Sequence, residues 1–316
     1  MDEFALIRRY FTDGGVMRAD TVLGIGDDAA VLRVPDDRQL VVTTDSLVSG
    51  VHFPAELQPD AIGHRALAAN LSDLAAMGAE PAWVLLALTL PEADERWLES
   101  FSEGFFRLAR SHHVALVGGN VARGPLNITI TAHGLVPSGQ ALMRKGARPG
   151  DAVYVTGHPG DAAAGLKLIQ SGHGDTSNDC VQRFCYPEPR AAAGIGLRGI
   201  ASAMIDISDG LLADLSHLLA ASDVGATLEL AGLPLSQTLL ASYPAETGRH
   251  LGLTGGDDYE LCFTVPNERL SELHRRVADL GCEVTRIGSI ETEAGLRLRD
   301  EHGNLKGTDS LGYRHF

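Results

Sequence analysis

The chain has 316 residues, of which 44% are hydrophobic and 21% charged, and a formal net charge of −15. That length leaves room for two domains with separate cores, and the composition is that of a soluble globular protein. The acidic balance argues against nucleic acid as a partner, since little is available to neutralise a phosphate backbone. Lysine occurs only at Lys145, Lys167 and Lys306, so arginine or metal must meet any anionic substrate.

The opening MDEFALIRRYF lacks a basic-then-apolar leader pattern. The longest uncharged apolar run, Pro81 to Pro91, is too short to span a bilayer, and no membrane association is expected. Cys180, Cys185, Cys262 and Cys282 show neither CxxC nor zinc-site spacing and read as free thiols of a reducing compartment, the cytoplasm.

In chain order, residues 2–11 place Phe4, Leu6, Ile7, Tyr10 and Phe11 at helical spacing. A glycine–acid turn follows, then predicted strands Ala29–Val34 and Leu40–Thr44 joined by a turn at Pro35–Asp37. Period-two alternation puts Thr43 and Asp45 on one face and Thr44 on the other. Asp60–Met77 is an Ala- and Leu-rich helix stopped by Gly78. A strand at Trp83–Leu90, a helix at Glu92–His112, a strand at Val114–Val117 leading into GGNVARG and a strand at Leu126–Val136 complete the first half. The Gly-, Pro- and base-rich stretch 137–150 marks the boundary between domains 1–140 and 141–316. The second half reads as strand Ala152–Thr156, helix Ala162–Gln170, helical segments at 175–189 and Ala191–Ala201, strand Ala203–Ile207 and helix Leu211–Ala221. Strands Ala226–Leu230 and Tyr259–Val265, helix Glu268–Leu280, and strands Glu283–Ile290 and Leu296–Arg299 follow. Helices and strands alternate in both halves, so the class is α/β plus α+β.

The chemistry-bearing pattern is a set of acids in glycine-rich or apolar settings. GIGDDA matches GxGxxA formally, but a strand follows it rather than a helix, and two aspartates would repel a pyrophosphate. Asp27 and Asp28 repel each other unless a cation or solvent relieves them. Asp73 lies among Ala69, Asn70, Ala76 and Met77 on its helix, where a carboxylate must be paired or metal-bound. In IDISDGL, Asp206 and Ser208 share one strand face and Asp209–Gly210 turn into a helix; the plain alternative is an Asp-Gly turn with Ser208 as helix cap. Oxygen ligands at mixed spacing suit Mg²⁺ shared with substrate phosphates, and no His cluster suggests zinc. GGNVARG allows close backbone approach to a phosphate or base. GHPGDAAAG reads as an anion-binding turn or as close packing, and TGGDDYEL repeats the glycine–acid theme ahead of a strand.

In sequence order GIGDDAA, TTDSLV with His52, ANLSDLAAMGA, VGGNVARG, the Arg144 segment, VTGHPGDAAAG, IDISDGL, GGDDYELCF and GYRHF resemble the thiamine-monophosphate kinase family. The resemblance runs from about Phe4 to Phe316 and extends to a superfamily of ATP-binding proteins that includes aminoimidazole ribonucleotide synthetase and selenophosphate synthetase. It implies an N-terminal ATP- and Mg²⁺-binding domain with a mixed sheet that pairs with a second subunit in a homodimer. A C-terminal α+β domain would close the active-site cleft. It also implies metal ligands at Asp28, Thr43, Thr44, Asp45, Asp73, Asn120, Asp206 and Asp209, nucleotide contacts at Gly119, Asn120, Arg144 and Ser208, and acceptor contacts at His52, Asp257 and Tyr313. The family commonly has Asp where Asn120 stands and Glu where Asp257 stands.

The implied reaction is Mg²⁺-assisted, in-line transfer of the ATP γ-phosphoryl to thiamine monophosphate, giving thiamine diphosphate. A phosphate monoester has a second pKa of about 6, so the acceptor is already ionised at neutral pH and no general base is needed. Arg144 would help neutralise the two polyanions. Two alternatives stay open: another ATP-dependent synthetase on the same scaffold, or a non-catalytic nucleotide or Mg²⁺ sensor.

Overall fold

The computed structural model describes residues 3–12, 14–307 and 312. The chain divides into two units, one of Met1–Leu74 with Ala79–Gly139 and one of Ala75–Gly78 with Gln140–Phe316. No helix among the described residues is long and apolar enough to cross a membrane.

In the first unit, α1 (Glu3–Ile7) runs into a π turn over Arg8–Thr12. β1 (Thr21–Leu23) and β2 (Val31–Leu32) pair antiparallel around the Gly24–Asp28 turn. The strand expected at Ala29–Val34 is shortened to Val31–Leu32, and it pairs with β1 rather than with the strand that follows it. The tight glycine turn folds β2 back onto β1, and the Arg38 N–H closes a separate turn on the Pro35 carbonyl at 3.0 Å. β3 (Arg38–Val48) is longer than its predicted core and pairs with β6 instead.

The remaining elements are α2 (Pro59–Ala76), β4 (Glu80–Leu90), α3 (Glu95–Ser111), β5 (Ala115–Arg123) and β6 (Asn127–Pro137). The sheet order is β3-β6-β4-β5, with β4 and β5 parallel and the other pairs antiparallel. The strand expected to end at Val117 thus runs on through GGNVAR. Alternation sends Ile128, Ile130, Leu86 and Leu88 into the core, and on β3 it turns Thr43 and Asp45 toward α2, where their partners lie. Leu40, Val42, Thr44 and Ser46 on the opposite face stay exposed.

Helices α2 and α3 cross at two glycines. A Cβ on Gly63 would lie 2.2 Å from the Phe101 carbonyl oxygen, and one on Gly104 would lie 1.9 Å from the Asp60 carbonyl oxygen. This close approach buries Phe101 and Phe105 completely and keeps α2, which carries Asp73, pressed into the core.

The second unit contains β7 (Ala152–Thr156), α4 (Asp161–Gln170), α5 (Asp179–Cys185), α6 (Ala191–Gly196), β8 (Ala203–Ile207), α7 (Leu211–Ser222) and β9 (Gly225–Glu229). It continues with α8 (Gln237–Ser242), α9 (Ala245–Thr254), β10 (Glu260–Val265), α10 (Leu270–Arg276), β11 (Val284–Glu291), β12 (Gly295–Arg299) and β13 (Leu305–Gly307). The sheet order is β13-β12-β9-β11-β7-β10-β8, and only β9–β12 is parallel. Every residue of β7, β8 and β10 is buried, because both sheet faces are covered. One face packs Val153, Val155, Ile205 and Ile207 with Leu211, Leu215 and Leu218 of α7. The other packs Tyr154, Met204 and Phe263 with Leu197 and Leu273. The predicted helices at 175–189, 191–201 and 268–280 are shorter than expected, since Asn178 caps the first late, Gly199 at φ 73 follows the second, and 3₁₀ turns flank the third.

Replacing Gly104 by Ala should separate α2 from α3 and cost about 1–3 kcal/mol of stability, read as a lowered thermal midpoint in calorimetry. An unchanged midpoint would contradict this account of the crossing.

Candidate functional site

A cavity of about 1020 Å³ opens in the first unit. Its apolar wall is formed by Ile7, Phe11, Ile25, Leu32, Leu85 and Leu86, and its polar wall by Arg8, Asp27, Asp28, Asn120 and His133, with Gly118 and Gly119 between. The edge strand β5 supplies the glycine side. A bulge beside Val84–Leu85 shifts its register, which re-aims the strand. Gly119 sits at φ 148, and a Cβ there would lie 1.9 Å from the Leu86 carbonyl oxygen. Only glycine fits, so the backbone itself lines the cavity. Asp28 and Asn120 are both exposed on this wall, and the Asp28 N–H donates to Asp27 Oδ1 at 2.8 Å.

A second group lies between β3 and α2. Thr43 Oγ1 donates to Asp73 Oδ2, and the Asp45 N–H donates to Asn70 Oδ1 at 3.2 Å. Asn70 in turn donates to the Ala66 carbonyl at 3.1 Å, so its orientation is fixed. Thr44 is not part of this group: its hydroxyl meets the Ile130 carbonyl (3.0 Å) and Thr131 (3.2 Å) on the opposite face. His52 lies just beyond β3, where its Nδ1 accepts the Val48 N–H at 3.0 Å. That bond leaves the ring proton on Nε2.

In the second unit the end of β8 collects another set. Asp206 is buried, and Ser208, Asp209 and Gly210 form the turn into α7. Their three successive N–H groups all donate to Asp214 Oδ2, at 3.0, 3.1 and 3.1 Å. Ser208 is therefore not the helix cap; Gly210 is the N-cap, without a side-chain bond of its own. Burial, then the charge of Asp209, pushes the Asp214 carboxyl up to about 7, while the three N–H groups pull the other way. The loop before β10 folds onto this turn, with the Asp257 N–H on the Ser208 carbonyl (2.9 Å) and the Tyr259 N–H on the Ile207 carbonyl (2.8 Å). Asp257 thus comes to the same strand end. The Arg144 segment lies along β8, since Met143 accepts the Met204 N–H at 2.9 Å. Ser222 pins it by donating to the Arg144 carbonyl and accepting from Gly146; the Arg144 side chain is exposed. Tyr313 lies outside the described residues, while Gly312 packs against the Asp209 carbonyl and Ala213.

The GHPGD turn is not an open anion site. The buried carboxylate of Asp258 fills it, accepting from Gly160 N–H (2.7 Å) and Ala162 N–H (3.2 Å). Nearby, Arg190 grips Glu260 with two N–H donors, and Thr156 donates to the same carboxylate at 2.5 Å. All four cysteines are free thiols. Burial pushes Cys180 up to about 12 and Cys282 up to about 11, which makes both poor nucleophiles. Sequence reasoning missed Asn70, Asp214, Asp258 and Tyr259. An acid in the first turn after an Asp-Gly, as at Asp214, was the available signal.

Residues 26–136 match the family model of the AIR synthase related protein N-terminal domain, and residues 148–301 match the C-terminal domain model. The chain is 46% identical over 320 residues to thiamine-monophosphate kinase of Escherichia coli K12, covering 99% of this chain and 98% of that protein. The chain belongs to the thiamine-monophosphate kinase family.

The crystal structure of the thiamine-monophosphate kinase from Stenotrophomonas maltophilia superposes with a TM-score of 0.85 at 47% identity, covering 89% of this chain and 92% of that one. A second relative in the family, AaThiL complexed with AMPPCP and TMP, gives 0.80 at 33% identity, with 92% of each chain covered. The two-domain architecture expected from the family resemblance is the one found.

Among the described residues of this kinase-family chain, no three His, Cys, Asp or Glu side chains form a self-sufficient metal cage. Thr43 with Asp73 on the α2 side of β3, and Asp206 and Asp209 at the end of β8, offer hard oxygen donors. Such partial oxygen sets fit Mg²⁺, which keeps waters and shares substrate phosphates. They do not fit a thiolate–imidazole zinc site.

Asp214→Ala should leave three N–H groups of the turn without their acceptor, cost about 1–3 kcal/mol of stability and collapse turnover. Asp214→Asn keeps an oxygen acceptor and should melt close to the native chain. Equal melting of the two variants would contradict the capping role.

Proposed function

We propose that this chain carries out ATP-dependent phosphorylation of thiamine monophosphate to thiamine diphosphate, with Mg²⁺, as a cytoplasmic homodimer. The observation that carries the reading is identity of 46% to a thiamine-monophosphate kinase along nearly the whole of both chains. The relative that superposes at a TM-score of 0.80 is complexed with an ATP analogue and TMP, which supports both substrates.

Asp28, Thr43, Asp45, Asp73, Asp206 and Asp209 are the Mg²⁺ ligands, with Asn120 a neutral member of the set. Thr44 is the weakest candidate, because its hydroxyl is engaged on the opposite sheet face. Gly119, Arg144 and Ser208 contact the nucleotide; His52, Asp257 and Tyr313 contact the acceptor. Mg²⁺ bound to these oxygens would neutralise the phosphates and polarise the transferring group. The protein's own contribution is orientation. Gly119 lets the backbone approach, Arg144 brings the exposed positive charge, and His52 presents an Nε2–H donor to the acceptor phosphate. That phosphate is already ionised near neutral pH, with a pKa of about 6, so no side chain has to remove a proton. Burial raises the pKa values of the Cys180, Cys262 and Cys282 thiols, which makes them poor nucleophiles and favours direct transfer between the two substrates.

Dimerisation is supported by the exposed outer face of β3, where Leu40, Val42 and Val48 are 44%, 55% and 38% accessible. An edge strand with an apolar open face invites a second copy. The cytoplasmic assignment rests on four cysteines that form no disulfide.

Incubating purified protein with ATP, Mg²⁺ and thiamine monophosphate, beside a tube with free thiamine, should give thiamine diphosphate in the first tube only. EDTA should abolish it, and light scattering of the same preparation should give the mass of a dimer. ATP binding without any thiamine diphosphate would leave the sensor reading standing in its place.

A further inference from the structure

Two consecutive odd-numbered residues of the loop before β10 are held in the left-handed backbone region, Asp257 at φ 68 and Tyr259 at φ 52. A bulky aromatic residue rarely adopts that conformation, and it persists only where the surroundings over-determine it. Here they do. The N–H groups of both residues are tied to the Ser208 and Ile207 carbonyls. Between and after them, Asp258 is locked under the α4 turn and Glu260 is gripped by Arg190. Gly256 lets the loop lie flat on the strand end, since a Cβ there would meet the Ser208 carbonyl at 2.5 Å. Tyr259 is only 7% exposed, which restricts where its hydroxyl can move. That hydroxyl donates to Asp257 Oδ1 at 3.2 Å.

We propose that Tyr259 is a positioning residue for the acceptor, fixing the Asp257 carboxylate through this hydroxyl. The inference rests on the proposed contact between Asp257 and thiamine monophosphate. The hydroxyl takes one lone pair of Oδ1 and sets the plane of the carboxylate. In the proposed contact the carboxylate so held meets a cation or an N–H donor, and thiamine offers both in its thiazolium and its aminopyrimidine. The device suits an aspartate. With two torsions, the side chain reaches a hydroxyl two residues ahead; a glutamate adds a third torsion and carries its carboxylate past that hydroxyl.

The test is a double-mutant cycle of Tyr259→Phe and Asp257→Glu, with KM for thiamine monophosphate and for ATP measured separately. Phenylalanine keeps the buried ring and removes only the hydroxyl. Tyr259→Phe should raise the thiamine monophosphate KM about fivefold, as expected for a lost hydrogen bond to a charged group. Its kcat and its KM for ATP should change by less than about twofold, well inside that loss. In the Asp257→Glu background the same change should have almost no effect on the acceptor KM. An unchanged acceptor KM in Tyr259→Phe, an equal rise for ATP, or the same effect in both backgrounds would overturn the proposal. Asp257→Ala separates the underlying reading: an unaltered acceptor KM there would remove Asp257 from the acceptor site, while continued product formation would leave the kinase reading intact.

Discussion

A single oxygen atom, Asp214 Oδ2, holds three successive N–H groups at the end of β8, and the second unit's candidate site hangs from that bond set. A turn with three inward-pointing N–H groups concentrates positive potential, as anion-binding nests do. Here the anion is internal. With the turn closed from below, the Ser208 and Ile207 carbonyls face the loop that carries Asp257, and the Asp209 carbonyl faces Gly312. Asp258 does the same for the Gly157–Asp161 turn. Two glycine turns that look in sequence like ligand sites are thus satisfied by the chain's own carboxylates, and they act as rigid mounts for neighbouring residues.

The first unit works by a different constraint, the two-sidedness of a sheet. Adjacent residues on β3 serve opposite faces. Thr43 and Asp45 meet Asp73 and Asn70 of α2, whereas Thr44 joins a ladder of hydroxyls with Thr131 on the open side. Helix α2 can press its carboxylate against β3 because Gly63 and Gly104 let α3 pack within carbonyl contact of it. On β5 the bulge and the left-handed Gly119 turn a strand backbone into a cavity wall. Both features use glycine where a side chain would collide.

Much of this was legible in the sequence. The period-two pattern of β3 separates Thr43 and Asp45 from Thr44, and the ordered motifs by themselves resemble the family. Other features could not be read locally. The partner of β2 depends on the return angle of a glycine turn, and the extension of β5 through GGNVAR depends on pairing with β4 some thirty residues away. The ends of the shortened helices were set by caps and by left-handed glycines rather than by apolar spacing. Asp258 and Tyr259 were missed because their roles arise from backbone groups that become neighbours only after folding, whereas Asp214 lies within six residues of the N–H groups it accepts from. A propensity scale has no term for a carboxylate that caps a turn from beneath.

The chemistry that emerges is one of positioning. The acceptor brings its own ionised oxygen, burial raises the pKa values of the Cys180, Cys262 and Cys282 thiols, and the side chains at each unit's site are oxygen donors and hydrogen-bond donors. Such a site should pass the phosphoryl group once, from nucleotide to acceptor, without a protein-bound stop. The most direct test is the stereochemical course with ATP carrying a chiral γ-thiophosphate. Inversion at phosphorus is the predicted result, as one in-line displacement requires. Net retention would mean two displacements through a phosphorylated side chain, and would contradict the account.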